Sequence, residues 1–351
     1  MRKYLFYAMV AVMAFSACKK ENGGDDDNGN GNDNPKDTID VYVAGGAVLW
    51  KNGKAQNLIG GTSGSIINAN SVFVYGNDVY VAGYEAQGIF VAKLWKNGIA
   101  QNLTDGTSSA MATSVFVYDD DVYVVGYACE KAYGRSVAKL WKNGIPQNLT
   151  DETDYDNAAD NSIFVYDKNV YVAGIEENIA KLWINGVAQN LTDGTDNAEA
   201  TSVFVSGGDV YVAGNERFTR IDSNKGEAYT GNAAKLWKNG VSQNLTNGVN
   251  NARAYSVFVY GNDVYVAGYE TIIETLKTKA VLWKNGVPLY LTNGANDAYA
   301  RSVFVSGNDV YVAGYEVKEN GTRIAKLWKN GVVQNLTGGT KWAEAYSVFV
   351  K

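Results

Sequence analysis

The stretch Ser71-Val-Phe-Val-Tyr75, Gly76-Asn77, Asp78-Val-Tyr-Val-Ala-Gly83, followed by Val91-Ala-Lys-Leu-Trp-Lys96, Asn97-Gly98, Ile99-Ala-Gln-Asn-Leu-Thr104, reads as two hairpins in succession. β-Branched and aromatic residues fill the arms, as a pleated and half-buried surface favours. Two residues join the arms each time, and Asn-Gly meets the positive φ that both central positions of a type I′ turn require. Two consecutive hairpins make a four-stranded antiparallel meander. Apolar residues fall on both faces, Val72 and Phe73 being neighbours, so each such sheet needs another packed against either side.

The same unit recurs along the chain. Val-Tyr-Val-Ala-Gly starts at Val41, Val79, Val122 (with Val125 in place of Ala), Val170, Val210, Val264 and Val310. A Leu-Trp pair ends at Trp50, Trp95, Trp141, Trp183, Trp237, Trp283 and Trp328, with Asn-Gly beginning two residues later every time. Ser-Val-Phe-Val or Ser-Ile-Phe-Val begins at Ser71, Ser114, Ser162, Ser202, Ser256, Ser302 and Ser347. Seven copies of about 45 residues fall in the range of propeller blades. The ordered region opens on the second strand of a unit, at Val41, and closes on a first strand, Ser347 to Val350. A three-plus-one closure follows, in which the C-terminal strand completes the opening blade and leaves no open interface. A parallel β-helix has shorter, more constant coils and lacks hairpin turns. The expected fold is therefore all-β: one seven-bladed β-propeller over residues 39–351, with four antiparallel strands per blade.

Residues 1–17 have the layout of a secretory signal. Arg2 and Lys3 precede an apolar run from Tyr4 to Phe15, followed by Ser16-Ala17. The run is too short for a bilayer, which needs about 20 residues. Phe15-Ser16-Ala17-Cys18 resembles a bacterial lipobox, departing from it at Phe15, and the resemblance implies that Cys18 is lipidated. Lys19, where an inner-membrane retention signal would carry aspartate, implies sorting to the outer membrane, facing either the cell surface or the periplasm. Residues 18–38, with Asp25-Asp26-Asp27 among Asn and Gly, are expected to be a flexible acidic linker. Cys129 is the only other cysteine, so a chain lipidated at Cys18 has no internal disulfide.

The whole repeat resembles bacterial propeller lipoproteins built from Val-Ala-Gly, Leu-Trp-Lys-Asn-Gly and Asn-Leu-Thr segments, over nearly the whole mature chain. No WD dipeptide, kelch pattern or sialidase Asp-box is evident, so no catalytic site is carried over.

Composition narrows the chemistry. The 351 residues include no histidine, which excludes imidazole acid–base catalysis, His-containing triads and His-ligated zinc. A net charge of −6 and a pI near 4.9 give no reason to expect nucleic acid as partner. No cofactor, metal site or catalytic residue is assigned, and the chain is expected not to be an enzyme.

Positions identical in all seven copies answer to packing that all blades share. The seven repeat tryptophans are read as inter-blade packing. The turn acids Asp40, Asp78, Asp121, Asp209, Asp263 and Asp309, with Asn169 in the remaining copy, are read as closing their own turns through side chain to backbone bonds. The glutamates after strand two (Glu85, Glu176, Glu216, Glu270, Glu316) recur too regularly for a differentiated catalytic pair, and strand-end solvation is expected of them.

Function is sought where the copies differ. The loops from strand two to three and from strand four to the next strand one emerge on one face and vary most, the former running from Asn215 through Asn232 in its longest copy. One and three residues before each repeat serine the copies also differ: Asn68 and Asn70, Met111 and Thr113, Ala159 and Asn161, Glu199 and Thr201, Arg253 and Tyr255, Tyr299 and Arg301, Glu344 and Tyr346. Period-two alternation puts these pairs on one side of the strand, at the rim of the central mouth. The last three copies cluster Arg253, Tyr255, Tyr299, Arg301, Glu344 and Tyr346, with Trp342, the one tryptophan outside the repeat, in the same loop. Aromatic faces beside Arg and Glu suit a glycan or a protein ligand. The expected function is a lipid-anchored extracytoplasmic binding module. A carboxylate-based glycan hydrolase or lyase on the same face, and an architectural subunit of a surface complex, are the alternatives.

Overall fold

The computed structural model describes residues 39–59, 64–129, 136–150, 158–221 and 228–351. The signal segment, Cys18 and the linker to residue 38 lie outside the described residues. Residues 39–351 form one compact unit of seven four-stranded antiparallel sheets set as a ring. No helix occurs among the described residues.

In each blade the strand beginning or containing Ser-Val-Phe-Val is innermost and the short strand after Asn-Gly is outermost. The opening blade takes its inner strand, Ser347–Val350, from the C-terminal end, paired with Val41–Gly45 in the register Val43↔Val348 and Ala44↔Ser347. Backbone bonds of 2.9 Å in both directions between Asp40 and Lys351 extend the ladder. The three-plus-one closure is thus present.

Three rings of repeated residues hold the blades together. The seven repeat tryptophans are all but fully buried. Each removes on the order of 200 Å² from water, worth about 5 kcal/mol in transfer free energy. Lining the channel, Phe73, Phe116, Phe164, Phe204, Phe258, Phe304 and Phe349 contact one another in a closed circle, centroid to centroid 4.6–4.9 Å. Beside them each repeat serine accepts the backbone N–H of the valine or isoleucine that follows the next blade's serine: Val115 to Ser71, Ile163 to Ser114, Val203 to Ser162, Val257 to Ser202, Val303 to Ser256, Val348 to Ser302, and Val72 back to Ser347 (3.1–3.3 Å). One N–H on the inner edge of each sheet, which would otherwise be an unpaired donor, is thus bonded around the full circle.

A β-bulge makes this geometry possible. In six blades the register slips just before the repeat serine, as between Ala254 and Ser256. The extra residue bends the strand and draws its backbone onto the glycine of Val-Ala-Gly. A Cβ placed on Gly268 would lie 2.0 Å from the Arg253 carbonyl oxygen, and one on Gly314 as close to that of Tyr299. No side chain fits there, so the repeated glycine is a requirement of the bulge.

The turn acids bond differently from the expectation. Asp78 Oδ1 accepts from Asn97 Nδ2 at 2.7 Å and Asp78 Oδ2 pairs with Lys96 at 2.7 Å, while Asn97 Oδ1 accepts from the Val79 N–H. Each acid therefore ties its own turn to the neighbouring Asn-Gly hairpin through side chains. Where Asn169 replaces the acid, Ile184 replaces the lysine, and Asn185 Nδ2 still reaches Asn169 Oδ1 at 2.8 Å. Charge is lost from both partners together. The Asn-Leu-Thr triplets are also structural: the Thr104 hydroxyl accepts from the Ala92 N–H, and the same bond recurs at Thr150, Thr192, Thr246 and Thr337, and at Thr292, where Tyr290 replaces the asparagine.

Ser256→Ala leaves the buried Val303 N–H without a partner and is expected to lower unfolding stability by about 1–3 kcal/mol in urea titrations. The lysine partners hold all six turn aspartates below the usual carboxylate range. A carboxyl with a depressed folded pKa adds stability that is complete above its unfolded value, about 4, and is lost as pH falls through the folded one. The double variant Asp263→Asn/Lys284→Ile, which copies the pair found beside Asn185, is expected to have a slightly lower urea midpoint at neutral pH and to lose less stability than the parent between pH 4 and pH 2.

Candidate functional site

The residue one position before the repeat serine lines the mouth in six blades, and the residue three positions before it does so in two. Asn70, Asn161, Glu199, Thr201, Arg253, Tyr255, Arg301 and Tyr346 line one cavity of about 450 Å³. Alternation alone does not place them there. The bulge lets two consecutive side chains serve the channel side, so that Tyr255 lines the mouth while Ser256 stitches the next blade.

Of the residues singled out from the sequence, the structure brings Arg253, Tyr255, Arg301 and Tyr346 together in this cavity. The Arg301 guanidinium lies over Tyr255 at 4.2 Å and near Tyr315 and Tyr346 at 5.6 and 5.7 Å. Tyr299 is set apart from the cavity, between Tyr269 at 5.1 Å and Tyr315 at 4.9 Å. Glu344 is buried and ion-paired to Arg323. Trp342 stands on the rim, 67% exposed, with Arg323 4.6 Å from its ring centre. A shallow cavity of about 370 Å³ near Gly45 and Thr337 includes Trp342 and is separate from the mouth. Arg323 also lies 4.9 Å from Tyr315, so alternating cations and aromatic rings run from Tyr255 out to Trp342.

Glu199 is the residue the sequence-based selection left out. It lies on the strand Ala198–Ser206, two blades before Arg301. Its carboxylate accepts from Asn161 Nδ2 at 3.1 Å and lies 3.9 Å from Arg253. Burial pushes its pKa above the ordinary value, against the opposing pull of Arg253, Asn161 and Arg301. Burial likewise pushes the Tyr255 phenol up to about 12, so it is a neutral donor at physiological pH. The same variable positions flagged Glu199; what linked it to Arg253 was the closed ring, which sets neighbouring blades face to face.

A second cleft, about 650 Å³, opens beside the mouth and shares Glu199 and Arg253 with it. Its walls include Asn178, Asn197, Asn215, Arg217, Tyr229, Asn232, Asn251 and Thr271. The segment expected as a long loop after strand two is largely β structure: Asp209–Ile221 pairs with Ala228–Lys238 down to Ile221↔Ala228. Thr219 and Thr230 face each other on this hairpin, and their alternation with polar neighbours carries the ladder beyond the blade.

The strand-two glutamates are not solvated strand ends. Glu85 pairs with Lys93 at 2.5 Å with both buried, and Glu176, Glu216 and Glu316 pair with Lys181, Lys235 and Lys326 at 2.5–2.8 Å. In the blade where Val281 takes the place of the lysine, Glu270 accepts from Tyr290 at 2.7 Å and Asn250 at 2.8 Å. Among the described residues no group of three or more Asp, Glu or Cys side chains is placed to hold a metal ion.

No known protein family matches the chain, and no curated protein matches it. Solved structures match at the level of the fold. An acylaminoacyl peptidase of Pyrococcus horikoshii is 11% identical with a TM-score of 0.46, over 85% of this chain and 53% of the peptidase. The protein YjhT is 10% identical with a TM-score of 0.42, over 80% of this chain and 99% of its own. A GH43 endo-arabinanase from Bacillus licheniformis is 12% identical with a TM-score of 0.32, over 63% and 96%. This chain thus spans about half the length of the peptidase, and these likenesses show the fold alone. The expectation that the chain is not an enzyme does not stand: this fold also occurs in proteins named as a peptidase and an arabinanase, and the lack of histidine excludes imidazole chemistry alone. Unlike the recurring strand-two glutamates, Glu199 is a carboxyl whose partners, Asn161 and Arg253, no other blade repeats.

A carboxyl whose folded pKa is raised costs stability once pH exceeds its unfolded value, about 4, and costs none below it. Glu199→Gln is therefore expected to raise the thermal midpoint at pH 7, with the gain vanishing at pH 3.5; equal midpoints at pH 7 would show that Glu199 is not desolvated.

Proposed function

We propose that this chain is an extracytoplasmic binding protein that takes a polar ligand, a glycan or a protein segment, at the mouth of its ring. The sharing of Glu199 and Arg253 by the mouth and the neighbouring cleft carries this reading. The two cavities form one polar surface from Tyr346 to Tyr229, with guanidinium, amide, phenol and carboxyl groups converging on it, as ligand sites do. Repetition explains the rest of the ring, and here the repeat is broken. The amino-terminal segment supports attachment to the outer membrane through a lipidated Cys18, with the propeller on the cell surface or in the periplasm.

A second reading, glycan hydrolysis at the same site, is favoured by one observation: Glu199 is held toward its protonated form at the edge of the cavity, as a general acid must be. Such a reaction needs a second carboxyl beside it; Glu344, buried against Arg323, does not line the cavity.

A glycan and peptide array screened with the full chain tests the binding reading. Arg253→Ala combined with Tyr255→Ala is expected to weaken the best ligand by about tenfold or more at an unchanged thermal midpoint; undiminished affinity would remove the mouth from consideration. Release of reducing ends from a bound glycan, lost in Glu199→Gln, would establish the second reading.

A further inference from the structure

The cleft lies where two consecutive blades lack a tyrosine that four of the seven carry, Gly46 holding that position in the opening blade. Opposite the variable residue three positions before the repeat serine, strand two carries Tyr84, Tyr127, Tyr269 and Tyr315, in register with Asn68, Met111, Arg253 and Tyr299. In the two blades between Tyr127 and Tyr269 the row reads Ile175 and Asn215. A shorter side chain replaces a phenol ring at each place, and both residues line the cleft.

Asn215 faces Glu199 directly across the ladder. It is 4% exposed, and its Oδ1 is buried with no hydrogen-bond partner among the described residues. A buried acceptor left unpaired is costly, and native structures seldom retain one without a reason. Two residues further along the same strand, hence on the same face, stands Arg217, exposed and without an ion pair among the described residues. Arg253 enters from the adjoining blade, 3.9 Å from Glu199, and Arg301 lines the adjoining mouth. Arg217, Arg253 and Arg301 thus line the two cavities that share Glu199, and in the cleft lies an acceptor in need of a donor.

We propose that the cleft is a subsite for a carboxylate-bearing sugar residue of an acidic glycan, with a ring hydroxyl donating to Asn215 Oδ1 and the carboxylate received by Arg217 and Arg253. The inference rests on the reading of the mouth as a ligand site and names the class of ligand. A uronic acid offers a hydroxyl donor and a carboxylate on one rigid ring, which is the complement of this pairing. An acidic peptide side chain offers the carboxylate without the hydroxyl. Guanidinium planes suit a carboxylate bidentately, and a charge-assisted pair outweighs a neutral one.

The test is calorimetric titration of the full chain with trimers of galacturonate, glucuronate, mannuronate and guluronate, with the carboxyl-reduced form of each, and with triglutamate. At least one uronate is expected to bind about tenfold or more tightly than its reduced form, and triglutamate is expected not to bind. Arg217→Ala, an exposed hairpin position that leaves the core intact, is expected to abolish the preference for the charged form while keeping affinity for the reduced sugar. Asn215→Leu is expected to weaken both forms. Equal affinity for charged and reduced trimers, or a preference that survives Arg217→Ala, would overturn the acidic subsite and leave the binding reading standing. Binding of triglutamate in preference to every uronate would overturn it in favour of a peptide. Failure of all these probes would overturn it too, and the array in the preceding section would then decide whether the mouth binds anything.

Discussion

The repeat serine is the contact on which the ring depends. Each Oγ receives a backbone N–H from the next blade, and the seventh bond returns from Val72 to Ser347. No blade can be shifted along its strands without breaking a bond on both sides. The phenylalanine circle imposes the same condition in apolar form, since Phe349 touches both Phe304 and Phe73. These contacts need the inner strand to bend, the bend is the bulge, and the bulge excludes every residue but glycine opposite it. Serine, phenylalanine and glycine therefore recur together because one geometry requires all three.

Most of this architecture could be read from residues. The Asn-Gly pairs announce their turns, and Asn97 and Gly98 do take φ values of 51° and 79°. The offset between Val41 and Ser347 announces closure. What the residues did not reveal is where side chains of like pattern find partners. Glu85 and Glu199 are both glutamates near strand ends. The first is matched by Lys93 two positions before Trp95 on the adjacent strand of its own blade, a pairing that depends on register. The second meets Arg253 of a neighbouring blade, a pairing that exists only once the ring is closed. Choosing candidates by aromatic density favoured Trp342 and Tyr299, whereas the cavities gather around Glu199, where the aromatic row is interrupted.

Symmetry and its breaking divide the molecule by function. A sevenfold scaffold gives each mouth position an equivalent environment, so a substitution at one copy changes the surface while the other six preserve the frame. Where Ile175 and Asn215 stand in place of the tyrosine, Trp183 and Trp237 are still buried, so the frame of those blades is kept. The polar surface of the mouth and the hydrophobic frame can thus vary independently.

The phenylalanine circle has a consequence for anything that enters the mouth. Above it the lining is amide, hydroxyl, phenol and guanidinium; at its level the walls turn to aromatic carbon. A hydrated group moving down the axis would exchange polar partners for a surface that offers none, and shedding its water there is unfavourable. For a ligand at the proposed site the collar would therefore be a depth gauge, keeping a water-loving group at the upper rim, on the side of Asn215 and the long hairpin.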